Sequence, residues 1–163
     1  MAANISTRRR VEYARGYLEL NLFAQAAAEL DAIPEEEGEE LDVACARVDL
    51  HMETKEWERV VSGARVVCAR KPASERAWIA WAYALRELQR IEEAKDVLLQ
   101  AERLHPKCGV LHYNLACYFC LLGDVAEAER RLTIAGELDD AWIQSALEDP
   151  DLRGMRSRLT SQD

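Results

Sequence analysis

The chain has 163 residues, 49% of them hydrophobic, which is enough to bury a continuous core in one elongated domain. Its formal net charge of −9 argues against nucleic acid as a partner, because a polyanion is held by clustered lysine and arginine. No stretch approaches a membrane-spanning length, and Glu12 and Glu19 interrupt the amino-terminal segment; five cysteines form no disulfide framework. A soluble, unexported, cytoplasmic protein is therefore expected. Arginine exceeds lysine by a wide margin, which points to a GC-rich and hence bacterial genome.

Residues 1 to 5 read as a frayed terminus, with Ser6 or Thr7 capping a first helix. Tyr13, Ala14 and Tyr17 then recur at helical spacing, a polar break follows at Glu19 to Asn21, and Ala26, Leu30 and Ile33 mark a second helix. The same pattern returns from Leu41, Glu75 and Gly109, every 34 residues. Copy two carries Val48, Val60, Ala64, Val67 and Pro72. Copy three carries Trp78, Trp81, Ala82, Leu85, Ala94, Leu98, Ala101 and Pro106, and copy four places His112, Leu115, Ala116, Phe119, Ala128, Leu132 and Ala135 in register with it. Further breaks fall at Glu53 to Lys55, Glu87 to Gln89 and Leu122 to Asp124, where Gly123 supplies a helix stop. Pro72 and Pro106 close the second helix of their copies. Each copy is thus a helical hairpin that must stack on the next to bury both faces.

Between copies one and two lies PEEEGEE, Pro34 to Glu40, which reads as a solvated loop beside the next helix start. Arg8, Arg9 and Arg10 sit where a helix dipole disfavours them, so a ligand carboxylate or the acidic loop is the expected counterpart. After copy four, AWIQSAL predicts a short helix, Asp149 to Asp151 a turn, and the remainder a final helical turn. Trp142, Ile143 and Leu147 would cover copy four, and the polar tail RSRLTSQD would meet water.

These residues resemble the tetratricopeptide repeat, most closely in WIAWAYALRELQRIEEAKDVLLQAERLHP and LHYNLACYFCLLGDVAEAERRLTIAGELD. Copy two departs at Arg47 and His51, and copy one has Arg10 in place of tryptophan and Gly38 in place of proline. The resemblance implies an all-α fold, a right-handed α-α superhelix in a single domain, with repeats at 7–40, 41–74, 75–108 and 109–140 and a capping helix and tail at 141–163. It also implies a concave groove lined by the first helix of every hairpin. Copy one would contribute Arg8, Val11, Glu12, Arg15 and Leu18, and copy two Asp42, Cys45, Asp49 and Met52. Ala80, Val110 and Cys120 fall on the same face. The second half is the better binding surface, with Ile79, Tyr83, Tyr113 and Cys117 as an apolar floor and Arg76, Arg86 and Asn114 as polar groups, since tyrosine and arginine are residue types that anchor peptides. The alternative is that several of these residues pack on the cap helix instead.

His105, Cys108, His112, Cys117 and Cys120 fall within sixteen residues and invite a metal or redox reading. Against it, His112 lies roughly 140° around the helix from Cys117, and it occupies the slot that Trp78 fills one repeat earlier. No nucleophile, zinc-protease, phosphate-loop or dinucleotide motif is present, so no enzyme activity and no cofactor is expected. The reading that results is a non-enzymatic scaffold or adaptor that binds a peptide or helix of another protein in the groove. A class II type III secretion chaperone is the alternative, although such chaperones carry an amino-terminal extension before three repeats, whereas the first repeat here starts at Thr7. A receptor for acidic chaperone tails is disfavoured, because only Asn114 matches its two-carboxylate clamp.

Overall fold

The computed structural model describes residues 5–155, and among these it contains nine α-helices and no strand. They are α1 (Thr7–Glu19), α2 (Phe23–Asp31), α3 (Leu41–Glu53), α4 (Trp57–Arg70), α5 (Glu75–Glu87), α6 (Ile91–Glu102), α7 (Gly109–Leu121), α8 (Val125–Leu138) and α9 (Ala141–Glu148). Two 3₁₀ segments, Glu35–Glu37 and Pro150–Met155, complete the order. The chain gathers into two compact units divided within α5, one reaching Ala84 and the other starting at Leu85.

The hairpin turns repeat as faithfully as the helices. Asn21, Lys55 and Gln89 have φ of 58°, 59° and 61°, and Gly123 has 86°, four left-handed residues at a spacing of 34. Each is followed by an amide that reaches back to the last turn of the first helix: Leu22 to the Tyr17 carbonyl at 2.8 Å, Glu56 to His51, Arg90 to Leu85 and Asp124 to Phe119 at 2.9 Å. This closes orphan carbonyls at the helix end, and only the fourth copy uses the residue that adopts such a φ without strain.

In the first unit α1 packs on α2 and α3, and α3 on α4. Its core holds Val11, Ala14, Ala26, Leu30, Ile33, Val43, Ala46 and Leu50. Alanine at the crossing positions brings the helices together, while Val60, Ala64 and Val67 seal α4. Tyr13, expected to pack, is 44% exposed; Val11, expected in the groove, is buried, so the core extends toward the inner face of α1. Two residues of the basic run are matched within their own hairpin: Arg10 pairs with Glu29 at 2.9 Å and Arg8 with Glu12 at 3.2 Å. Ser6 precedes α1 without a side-chain cap bond, and the Thr7 hydroxyl donates to Glu37. The acidic loop is therefore tied to α1, and Arg70 donates to the Glu39 carbonyl.

In the second unit α7 packs on α6 and α8, and α8 on α9. The Trp78 indole donates to the Pro72 carbonyl at 2.9 Å in the first unit, and the His112 imidazole makes the same contact with the Pro106 carbonyl, also at 2.9 Å, in the second. A carbonyl only accepts, so Nε2 of His112 carries the proton and the ring serves as a smaller substitute for tryptophan. Arg131 is buried, with its guanidinium 5.9 Å from the Phe119 ring centroid, and it donates to Glu127 at 2.7 Å and to Glu102. The cap helix lies on two glycines: a Cβ on Gly109 would stand 2.6 Å from Trp142 Nε1, and one on Gly136 would stand 2.7 Å from Ile143 Cδ1. Ala146 is fully buried in α9, whereas Leu147, expected to cover copy four, is 40% exposed. The turn at Asp149 leads into the Pro150–Met155 segment as the spacing suggested; the expected tail RSRLTSQD lies outside the described residues.

Candidate functional site

The inner face of the first unit is an open cleft of about 420 Å³. Arg15 and Leu18 from α1, Cys45 and Asp49 from α3, and Arg76 and Ala77 from α5 line it. They stand together because they come from the first helices of three successive hairpins, with Arg15 and Asp49 in the same slot one repeat apart. Asp49 Oδ1 accepts from Arg76 Nη2 at 2.8 Å, with the Asp49 side chain 21% exposed and that of Arg76 80% exposed. Burial pushes the Asp49 carboxyl above its usual range, opposed by the positive charge of Arg76. The Arg76 guanidinium is open to water on its outer side, where its remaining N–H donors can meet another carboxylate while Asp49 keeps its partner. Along α5, Ile79 is half-buried and Tyr83 is exposed, its ring 5.8 Å from that of Trp57 in an edge-on arrangement.

The second unit treats the corresponding slots differently. Helix α7, GVLHYNLACYFCL, is apolar on every face, and a helix of that kind must be covered all round. Helices α6 and α8 cover one side, and the Pro150–Met155 segment covers another. Tyr113 OH donates to Asp149 Oδ2 at 2.7 Å, and Cys117 Sγ lies 3.8 Å from the same oxygen. Arg86 forks Asp151, with Nε to Oδ2 at 2.9 Å and Nη2 to Oδ1 at 2.5 Å, while its Nη1 meets Glu87 at 2.7 Å. Trp142 leans on Tyr113 with ring centroids 5.0 Å apart. Leu152 and Met155 are fully buried.

Of the seven residues expected to bind a peptide, Arg76, Ile79 and Tyr83 thus belong to the first unit. Arg86, Tyr113, Asn114 and Cys117 belong to the second, where Asn114 is half-buried and the other three are engaged by the chain's own carboxy-terminal segment. Burial raises the Tyr113 phenol and the Cys117 thiol well above their ordinary values, and the nearby Asp149 carboxylate adds to both shifts. Neither group ionises near neutrality.

The cysteine and histidine run is dispersed by the fold. His112 is spent on the Pro106 carbonyl, and among the described residues the donors that converge are instead Cys117, Asp149 and Asp151, their ligand atoms within 4.8 Å of one another. Asp151 already faces the Arg86 guanidinium, which matches its charge, and Asp149 accepts from the Tyr113 hydroxyl. Asp149 and Asp151 were not among the residues expected to form a site. The signal that pointed to them was the missing polar face of α7, which requires a cover from elsewhere in the chain.

No family model matches this sequence, and no curated protein matches it. Solved structures do. The chain is similar to a thermophilic TPR protein of Thermus thermophilus, with 18% identity, a TM-score of 0.68, and coverage of 96% of this chain and 100% of that one. It is also similar to MamA of AMB-1, at 21% identity and a TM-score of 0.75 over 91% of this chain and 82% of that one. MamA from Desulfovibrio magneticus RS-1 matches at 16% identity and a TM-score of 0.76 over 83% and 77% of the two chains. With the 34-residue hairpins and their repeated turns, these matches identify the chain as an all-α protein of tetratricopeptide-repeat fold.

Proposed function

We propose that this protein is a non-enzymatic interaction module that takes a peptide or helical segment of another protein on the inner face of its first helices. The observation that carries the reading is the open cleft of the first unit, where half-buried Leu18 and the buried floor of Val48 and Ala77 lie beside the charged pair of Asp49 and Arg76. A segment bearing a carboxylate would meet the solvent-facing side of the Arg76 guanidinium, and its apolar side chains would rest on Leu18. Ile79 and Tyr83 extend the same helix surface, and tyrosine supplies contact area with a hydrogen-bonding tip. The module serves as a scaffold or adaptor in a reducing compartment such as the cytoplasm, a reading supported by five free cysteines, four of them buried.

Site-specific photo-crosslinking in the native cell tests the proposal. A photoreactive residue in place of Leu18 or Arg15, which line the cleft, should crosslink to one discrete protein, and the same residue in place of Val66, which is exposed outside it, should not. Equal crosslinking at Val66, or none at the cleft, would move recognition to another surface.

A further inference from the structure

We infer that the α7 face of the second unit is a second binding site, for an acidic linear segment of a partner protein, and that residues 149–155 occupy it as a resident ligand. The segment engages the face as a bound peptide would. Two carboxylates two residues apart meet different anchors, Asp149 at Tyr113 and Asp151 at the Arg86 fork, and two apolar side chains, Leu152 and Met155, then bury completely. The stretch is a 3₁₀ segment, and the Asp151 amide closes on Asp149 Oδ1 at 2.8 Å, which sets the spacing of the two carboxylates.

The repeat makes the comparison internal. Positions 117 and 120 in α7 correspond, by whole multiples of 34, to Arg15 and Leu18 and to Asp49 and Met52, and in the first unit Arg15, Leu18 and Asp49 line the open cleft. Slots that are open in one unit are filled in the other by the chain's own end. The chemistry of the filling defines the class of ligand: a short segment with Asp-x-Asp followed by an apolar residue, seated as a 3₁₀ turn and held by an arginine fork and a phenol. Because the resident segment is tethered, a free competitor meets a large effective concentration, and its apparent affinity is reduced by the small fraction of molecules in which the site is open.

Full-length protein is titrated with a fluorescently labelled peptide, LEDPDLRGM, corresponding to Leu147–Met155, and binding is read by anisotropy. Asp151→Asn with Leu152→Ala weakens the resident segment and should tighten peptide binding at least tenfold over the unsubstituted chain. Adding Arg86→Gln to that variant, or replacing both peptide aspartates by asparagine, should remove the gain. Arg15→Glu with Arg76→Glu should leave it unchanged, which separates this site from the cleft of the first unit. No gain in a variant that retains its helical signal would reduce the segment to a structural cap and overturn the inference. So would formation of a dimer without peptide binding, which would assign the face to a second copy. Should the variant unfold, hydrogen exchange on the unsubstituted chain decides. Amides of 150–155, other than proline, should exchange by local opening at least tenfold faster than those of α7; exchange of both only through global unfolding would overturn the inference.

Discussion

Gly109→Ala sets two effects of opposite sign against each other. Alanine at the start of α7 is a better helix former than glycine, a gain of up to about 1 kcal/mol. The new methyl, however, would lie 2.6 Å from Trp142 Nε1 and 3.4 and 3.5 Å from two further ring atoms, where ordinary contact needs roughly 3.5 to 4 Å. The indole must retreat by roughly 1 Å, and retreat takes it off the Tyr113 ring, 5.0 Å away between centroids, in a pair of a kind worth about 1 kcal/mol. With overpacking costs of about 1 to 3 kcal/mol, the net change should be a loss of about 1 kcal/mol, a Tm lower by roughly 2 to 4 °C. The cycle with Trp142→Ala isolates the cause: without the indole, Gly109→Ala should stabilise by a few tenths to about 1 kcal/mol, a coupling of about 2 kcal/mol. Urea denaturation of the four proteins measures it. An unchanged effect of Gly109→Ala in the two backgrounds would refute the close approach of the cap helix to α7.

Gln89→Gly should stabilise by a few tenths to about 1 kcal/mol and raise Tm slightly, because relief of its φ of 61° exceeds the added chain entropy, whereas Gly123→Ala should lose about 1 kcal/mol; thermal melts of both check the sign. Glu127 is bonded to Arg130 and Arg131, which hold its carboxyl down to about 2 from the ordinary 4.5. A folded value below the unfolded one means that the contribution, about 1 to 2 kcal/mol, is complete above pH 4.5 and lost as pH falls toward 2. Glu127→Gln should therefore flatten stability across that window while lowering it at pH 7. Burial pushes the Cys68 thiol up to about 12 and Cys117 higher still, so a thiol reagent at pH 7.5 should label Cys45 first and the four buried cysteines only after denaturant is added, as counted by mass spectrometry.

The helices, their phase and the four turns were legible in the sequence because all of them depend on local chemistry repeated at a constant interval. Apolar residues at three and four select helix, short polar breaks stop it, and the left-handed residues fall inside the breaks at Asn21, Lys55, Gln89 and Gly123. The role of His112 was legible for the same reason, since its slot is that of Trp78. Tyr13, Val11 and Leu147 were misjudged because a slot states which side a residue faces and not what stands opposite it. The candidate site was half legible. The inner-face residues were nameable from what the family resemblance implies, and a cover over copy four was expected from Trp142 and Ile143 but not from Asp149 and Asp151.

Sequence alone determined the repeated hairpin, because a 34-residue period imposes the same local solution each time. Only the tertiary structure decided which inner faces remain open. Whether Tyr113 and Arg86 meet water or Asp149 and Asp151 depends on a chain reversal after α9 that joins residues 36 and 65 positions apart. No local spacing encodes a contact of that range. It is selected by the combined burial of Leu152 and Met155 and the matching of two carboxylates to a phenol and a guanidinium.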